Sequence, residues 1–173
     1  INKGGTAPVD LKASNYHTLL LGLKPSSNYT YHIEITSASG TCKSSDYTMK
    51  TNALSGAPAV TRTVTNASAL AGGFIVTCGG LSGSAGPYIF DADGTTVWSS
   101  TGAPSCGRAH MDYEGANMWS VSINVMNSGG EMRYTSMDGK SGQGNITGMS
   151  DCHHDFTVLP GGIVASMCWV TKN

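Results

Sequence analysis

Two histidines that lie 44 residues apart, His110 and His154, have the clearest potential for chemistry in this sequence. His154 stands in the tripeptide His153-His154-Asp155, and Arg108 precedes His110 by two positions. A neutral imidazole can act as a nucleophile, and histidine and arginine donors together stabilise negative charge on a reacting group. A histidine at the start of a strand can equally hydrogen-bond a neighbouring carbonyl or carboxylate. A metal site would need further ligands that the sequence does not place, so neither a metal nor a cofactor is predicted.

Cysteines and glycosylation sequons indicate a compartment outside the cytoplasm. The chain has five cysteines, with neither a CxxC pair nor a regular zinc-ligand spacing. Three N-x-[ST] sequons are candidate glycan acceptors, at Asn28, Asn66 and Asn145. We therefore expect a secreted extracellular or periplasmic protein, in which at least one cysteine has no partner within this chain.

The composition excludes several classes of partner. Charged residues make up 12% of the 173 residues and the net charge is −1, whereas soluble domains average about 25% charged residues. Such a chain offers no electrostatic attraction to nucleic acid or anionic lipid, and a near-neutral surface favours association. The sequence has no run of about 18 apolar residues, so it predicts no membrane span.

The first fifty residues have the pattern of a β-sandwich. A polar turn is predicted at Ser37–Gly40, and three segments have strand character, namely His17–Leu23, Tyr29–Ile35 and Asp46–Thr51. The Leu-x-Pro-x-x-x-Tyr sequence from Leu23 to Tyr29 resembles the tyrosine corner of fibronectin type III domains. In that corner, a tyrosine hydroxyl bonds back to the backbone upstream of it. An unrelated β-meander is the alternative.

The remainder of the chain repeats with a period near 44–45 residues. Three segments share a glycine turn followed by an apolar strand: Gly72–Cys78, Gly115–Val121 and Gly161–Cys168. Asp-Gly dipeptides at 93–94 and 138–139 predict hairpin turns with the same spacing. This period is typical of four-stranded propeller blades, here with the order strand, glycine turn, strand, longer loop, strand, Asp-Gly hairpin, strand. An ordinary sandwich or barrel is the alternative.

The predicted fold class is all-β, with two incomplete units. Residues 1–52 correspond to the C-terminal half of a fibronectin type III or Ig-like sandwich, 53–58 to a linker, and 59–173 to two or three β-propeller-like blades. A sandwich needs about 100 residues and a propeller closes with about four to eight blades. We therefore expect the chain to be a fragment, or to be completed by other subunits. Equivalent positions before the two repeated histidines predict a Cys106–Cys152 disulfide.

Four segments together resemble the bacterial aryl-sulfate sulfotransferases: Pro87–Trp98, Arg108–Trp119, Arg133–Ser141 and His153–Ala165. The last, HHDFTVLPGGIVA, is similar to the His-Asp-Phe and Leu-Pro-x-Gly blade motif of that family. The resemblance implies an N-terminal sandwich joined to a propeller. It also implies transfer of a sulfuryl group from an aryl sulfate to a phenol through a channel histidine.

The resemblance implies roles for four residues. His154 would contact the sulfuryl group through the family motif, His110 would do so by the internal repeat, and Arg108 and His153 would bind the same anion. The nucleophilic histidine of the family lies beyond the matched portion, so an inactive or incomplete enzyme is expected. The alternative is a structural or adhesive subunit of an extracellular assembly, which self-association completes.

Overall fold

The computed structural model describes residues 5–7, 9, 12, 18–57, 60, 61, 63, 66, 69, 72–79, 85–100, 106–122, 130–140, 143–146, 149 and 152–168. Within these ranges every regular element is a β-strand, and the strands form small antiparallel sheets that do not close. The predicted all-β class is confirmed. The described part of the chain has no helix with the length and apolar character that a membrane crossing requires.

The first four strands form a two-stranded ribbon over residues 28–50. One side carries β1 (Asn28–Tyr31) and β2 (Glu34–Ser37), and the other carries β3 (Gly40–Lys43) and β4 (Tyr47–Lys50). β1 pairs antiparallel with β4, and β2 pairs antiparallel with β3. The ribbon reverses at residues 38 and 39, inside the predicted polar turn.

The ribbon is interrupted where the sequence predicts one continuous strand. His32 and Ile33 lie between β1 and β2, opposite the three residues that separate β3 from β4. The Ile33 N–H donates to the Ser44 hydroxyl, and the Ser44 N–H donates to the Ile33 carbonyl, both at 2.9 Å. The strand expected at His17–Leu23 is wrong over its described residues, 18–23. A strand needs a backbone partner, and no described strand pairs with that segment.

The hydrogen bond expected of a tyrosine corner is present. The Lys24 N–H donates to the Tyr29 hydroxyl oxygen at 2.6 Å, and the Thr51 hydroxyl donates to the Lys24 carbonyl at 2.6 Å. The Lys24 ammonium lies 2.7 Å from Asp93 and 3.2 Å from Asp91, in a hairpin loop of the repeat region. Hydrogen bonds to Asp93 and then to Asp91 raise the pKa of Lys24. These contacts tie the base of the ribbon to the rest of the chain.

Nine further strands form three sheets. The strands are β5 Phe74–Gly79, β6 Gly86–Asp91, β7 Thr96–Ser99, β8 Arg108–Met111, β9 Asn117–Val121, β10 Met132–Ser136, β11 Gln143–Asn145, β12 Cys152–Leu159 and β13 Ile163–Cys168. A three-stranded sheet has the order β5-β6-β7, and a four-stranded sheet has the order β11-β10-β9-β8. The remaining two strands, β12 and β13, pair with each other.

The four-stranded sheet follows the predicted order of connections. A turn at Gly115 joins β8 to β9, a longer segment joins β9 to β10, and an Asp138-Gly139 hairpin joins β10 to β11. The β6–β7 hairpin turns at the other Asp-Gly dipeptide. Gly94 and Gly139 have φ angles of 79° and 67°, a region that L side chains rarely adopt and that such tight turns require.

The strand β9 lies at the centre of the core. Met118 packs against Ile89 of β6, whereas Val121 packs against Phe156 and Val158 of β12. Successive side chains of a strand point to opposite faces, so β9 is covered by a different sheet on each side. The four-stranded sheet is therefore the middle layer of a stack, with β8 and β9 next to β12.

Candidate functional site at the junction of β8 and β12

Arg108, a predicted anion ligand, meets Asp155 where β8 and β12 adjoin. Arg108 is the first residue of β8, and Asp155 lies in the first half of β12. The Arg108 guanidinium forms an ion pair with the Asp155 carboxylate, and their side chains are 45% and 51% exposed. The first residues of β8 and of β12, which the repeat period relates to each other, are thus neighbours in space. The Asp155 carboxylate balances the charge of Arg108.

His110 lies on the same side of β8 as Arg108. It pairs directly with Trp119 of β9, a residue that packs toward β12. The Nδ1 atom of His110 and the Nε1 atom of Trp119 are both buried, and neither has a hydrogen-bond partner among the described residues. A buried polar atom without a partner costs about 1–3 kcal/mol. A ligand group that reached these nitrogens would recover part of that free energy.

The backbone of His153 and His154 belongs to β12, whereas their side chains lie outside the described residues. The pairing of β12 with β13 shifts register in this stretch, because Cys152 is opposite Cys168 and Phe156 is opposite Ser166. Irregularities of this kind redirect side chains and often occur next to active sites. The anion-binding roles of His153 and His154 stay predictions.

The predicted Cys106–Cys152 disulfide is wrong. Cys106 pairs with Cys78, with their Cα atoms 5.3 Å apart, and Cys152 pairs with Cys168. Cys106 pairs with Cys78 because it lies just before β8, and β8 packs beside β5, which contains Cys78. Cys152 and Cys168 face each other directly in the β12–β13 ladder. Cys42 is exposed on the ribbon and has no disulfide.

An open groove of about 360 Å³ runs beside the Cys78–Cys106 disulfide. Its walls come from β5 and from the residues that lead into β8, including Thr77 and Arg108. Arg108 is the charged residue among those that line this groove, and its guanidinium group is ion-paired with Asp155. Binding of an anion by Arg108 stays a prediction.

The three sequons lie in different settings. Asn28 is an exposed residue of β1, and Asn66 is exposed as well. The backbone of Asn145 is in β11, and its side chain lies outside the described residues. Glycosylation at these positions stays a prediction.

Sequence reasoning missed two loop carboxylates that shape this region. Asp91 accepts the N–H groups of Asp93 and Thr95 at 2.9 and 2.8 Å. Asp112, which is buried, accepts the N–H groups of Ala116 and Asn117 at 2.7 and 3.0 Å. The sequence pattern that predicts them is a shared aspartate three positions before the turn glycine, in Asp-Ala-Asp-Gly at 91–94 and in Asp-Tyr-Glu-Gly at 112–115. Such aspartates hydrogen-bond the loop backbone and hold its shape.

Comparison of the chain with protein-family models, with curated proteins and with solved structures finds no match.

Proposed function

We propose that this chain is a structural module of an extracytoplasmic assembly, whose subunits associate through open edges of small β-sheets. The observation that carries the proposal is the ribbon of residues 28–50. Ile33 and Ile35 are 53% and 66% exposed on it, and within the described residues no third strand pairs with it. A two-stranded ribbon is at best marginally stable in water, and a third strand or a packed face stabilises it.

The cysteine pairing supports a location outside the cytoplasm. Two pairs of cysteines lie at disulfide distance, one between two sheets and one within a sheet. Disulfides persist in oxidising compartments and are rare where glutathione keeps thiols reduced. The low charge of the surface fits a protein that buries much of that surface against other subunits.

The finer architecture belongs to the same proposal. The stacked sheets are blades of a β-propeller-like array over residues 59–173, and the ribbon with its tyrosine corner is part of a fibronectin-like sandwich over residues 1–52. The order of connections in the β8–β11 sheet and its burial on both faces support the assignment as propeller-like blades. The Lys24–Tyr29 hydrogen bond supports the assignment as part of a fibronectin-like sandwich.

Sedimentation velocity across a concentration series tests the proposed function. The chain with a Cys42→Ser substitution is the sample, so that the exposed thiol forms no intermolecular disulfide. We expect the sedimentation coefficient to rise with concentration as monomers form dimers or larger assemblies. A species with the monomer mass at every concentration would contradict the proposal.

Sulfuryl transfer is a second candidate, and one observation favours it. Arg108 and His110 stand two positions apart on one side of β8, and the buried Nδ1 atom of His110 has no described partner. The test is transfer from an aryl sulfate to a phenol by the full chain. His110→Ala should abolish transfer while Lys43→Ala, at an exposed residue of β3, leaves it unchanged. Equal rates with and without the protein would reject this candidate.

A further inference from the structure

One side of the ribbon, residues 28–37, has a row of backbone groups that face away from the other side. The Thr51 N–H donates to the Ser27 carbonyl, and Ser44 exchanges hydrogen bonds with Ile33, so odd-numbered residues face the paired side. Bonded positions alternate along an antiparallel strand. The even-numbered residues from 28 to 36 therefore direct their N–H and C=O groups outward. We call this row the ribbon edge, and no described residue hydrogen-bonds to it.

One face of the ribbon next to this edge is apolar. The Tyr31 and Tyr47 rings contact each other, with their centroids 5.5 Å apart. Ile33 and Ile35 continue the same face by the two-residue alternation of a strand. These four side chains are between 41% and 66% exposed. A strand added at the ribbon edge would have to continue this apolar face.

The opposite face of the ribbon is polar around His32 and Glu34. The His32 imidazole lies 3.1 Å from the Glu34 carboxylate and 3.5 Å from the Asp46 carboxylate. His32 and Glu34 both belong to the outward-bonding row, so both would lie directly opposite residues of an added strand. An added strand is therefore favoured when it offers a carboxylate opposite His32 and a hydrogen-bond donor opposite Glu34.

A second copy of the ribbon edge meets these requirements in one antiparallel register. The outward-facing N–H and C=O groups of one copy must bond to the outward-facing groups of the other, so even-numbered residues must pair with even-numbered residues. Near the middle of the edge, the two-fold axis that relates the two copies can then pass through residue 32, 33 or 34. An axis at 32 pairs two histidines, and an axis at 34 pairs two carboxylates. An axis at Ile33 places His32 opposite Glu34 of the second copy, twice, and Tyr31 opposite Ile35, twice. Unlike pairs directly opposite each other stabilise a sheet, and like charges destabilise it.

We propose that the ribbon edge is a homotypic docking site, at which two copies of this chain pair antiparallel about Ile33. The two ribbons then form one continuous four-stranded sheet, with the isoleucines and tyrosines on one face and the His32–Glu34 pairs on the other. This inference rests on the proposed function, since it names the partner and the contact through which the module associates. Pairing of exposed sheet edges is an established mode of recognition between chains.

Disulfide crosslinking tests the register with two matched variants in the Cys42→Ser background, Ile33→Cys and Ile35→Cys. In the proposed pairing, the two copies of residue 33 face each other with Cα atoms about 4.5 Å apart, a separation that a disulfide spans. The two copies of residue 35 are displaced by four residues along the strands, about 13 Å. Mild oxidation should therefore give a yield of crosslinked dimer about tenfold higher for Ile33→Cys than for Ile35→Cys.

The outcomes separate the two proposals. Selective crosslinking at position 33, with peptide mapping that finds the intermolecular 33–33 bond and intact 78–106 and 152–168 bonds, supports the docking site. Association in sedimentation without crosslinking at 33, or equal crosslinking at both positions, overturns the docking site and leaves the proposed function standing. A monomer in sedimentation together with no crosslinking overturns both.

Discussion

At the scale of single residues, a few polar groups determine how the backbone turns. The Tyr29 hydroxyl accepts the Lys24 N–H, and Asp112 accepts two loop amides from a buried position. The first contact could be predicted, because Pro25 and Tyr29 have the spacing that is typical of a tyrosine corner. The ion pair of Arg108 with Asp155 could not, because its two residues are 47 positions apart and meet only once the sheets stack.

Removing the Tyr29 hydroxyl should loosen the corner locally. Tyr29→Phe leaves the Lys24 N–H without its acceptor, and a typical hydrogen bond contributes about 1 kcal/mol. The Lys24 amide should then exchange its hydrogen about fivefold faster. Tyr113→Phe is the matched control, since Tyr113 is 68% exposed. An unchanged exchange rate at Lys24 in Tyr29→Phe would show that the hydroxyl does not hold the corner.

Stability should fall at alkaline pH, in part through Tyr88. This side chain is 1% exposed, and burial raises the pKa of Tyr88 above its ordinary value of 10.0. The unfolded chain loses the phenol proton near pH 10 while the native chain keeps it, so stability declines as the pH rises above 10. Tyr88→Phe should reduce this slope in urea unfolding measured across the range. A slope equal to that of the unsubstituted chain would count against the assignment.

At the scale of elements, local turns were predictable and long-range pairings were not. The Asp-Gly hairpins and the strand order of the β8–β11 sheet follow from local dipeptides and from the period of the repeat. The interruption at His32 and Ile33 depends on Ser44, which lies on the opposite side of the ribbon. The disulfides depend on which strand ends become neighbours, and the repeat period alone placed Cys106 with the wrong partner.

The two disulfides should be recovered by peptide mapping of the non-reduced protein as 78–106 and 152–168. Replacing Cys78 and Cys106 together by serine removes the link between two sheets, and we expect a loss of about 3 kcal/mol in the free energy of unfolding. Cys42→Ser is the control and should change stability by less than about 0.5 kcal/mol, because Cys42 is exposed and unbridged. A mapped 106–152 peptide would contradict the structure.

Gly130 should tolerate no side chain. Its N–H donates to the Cys152 carbonyl at 3.0 Å, and an added Cβ would overlap the carbonyl oxygens of Ser122 and Cys152. Both neighbours are backbone atoms, so Gly130→Ala should lower the free energy of unfolding by about 1–3 kcal/mol. Gly5→Ala, with open space around it, is the control. Equal stability of the two variants in urea unfolding would show that β9 and β12 do not approach so closely.

At the scale of the whole molecule, the chain combines a buried stack of sheets with an exposed ribbon. Met118, Val121 and Phe156 lie inside the stack, whereas Ile33 and Ile35 face solvent. Few surface charges oppose association, and the ribbon edge, to which no described residue hydrogen-bonds, supplies a specific way for it to occur. We therefore propose that the chain functions through contacts between copies, and the junction of β8 and β12 is a separate candidate for ligand binding.

The most direct test of this account compares the dimer dissociation constants of two proline variants, Thr30→Pro and Thr48→Pro. The two threonines are exposed and face each other across β1 and β4, so each substitution disturbs the ribbon itself in the same way. Of these two threonines, only Thr30 has its N–H on the ribbon edge. A dimer of Thr30→Pro therefore loses two inter-strand hydrogen bonds of about 0.5–1.5 kcal/mol each, one for each copy. We predict that Thr30→Pro weakens the dimer by about tenfold or more and that Thr48→Pro leaves it within about threefold. Equal dissociation constants for the two variants would contradict the account.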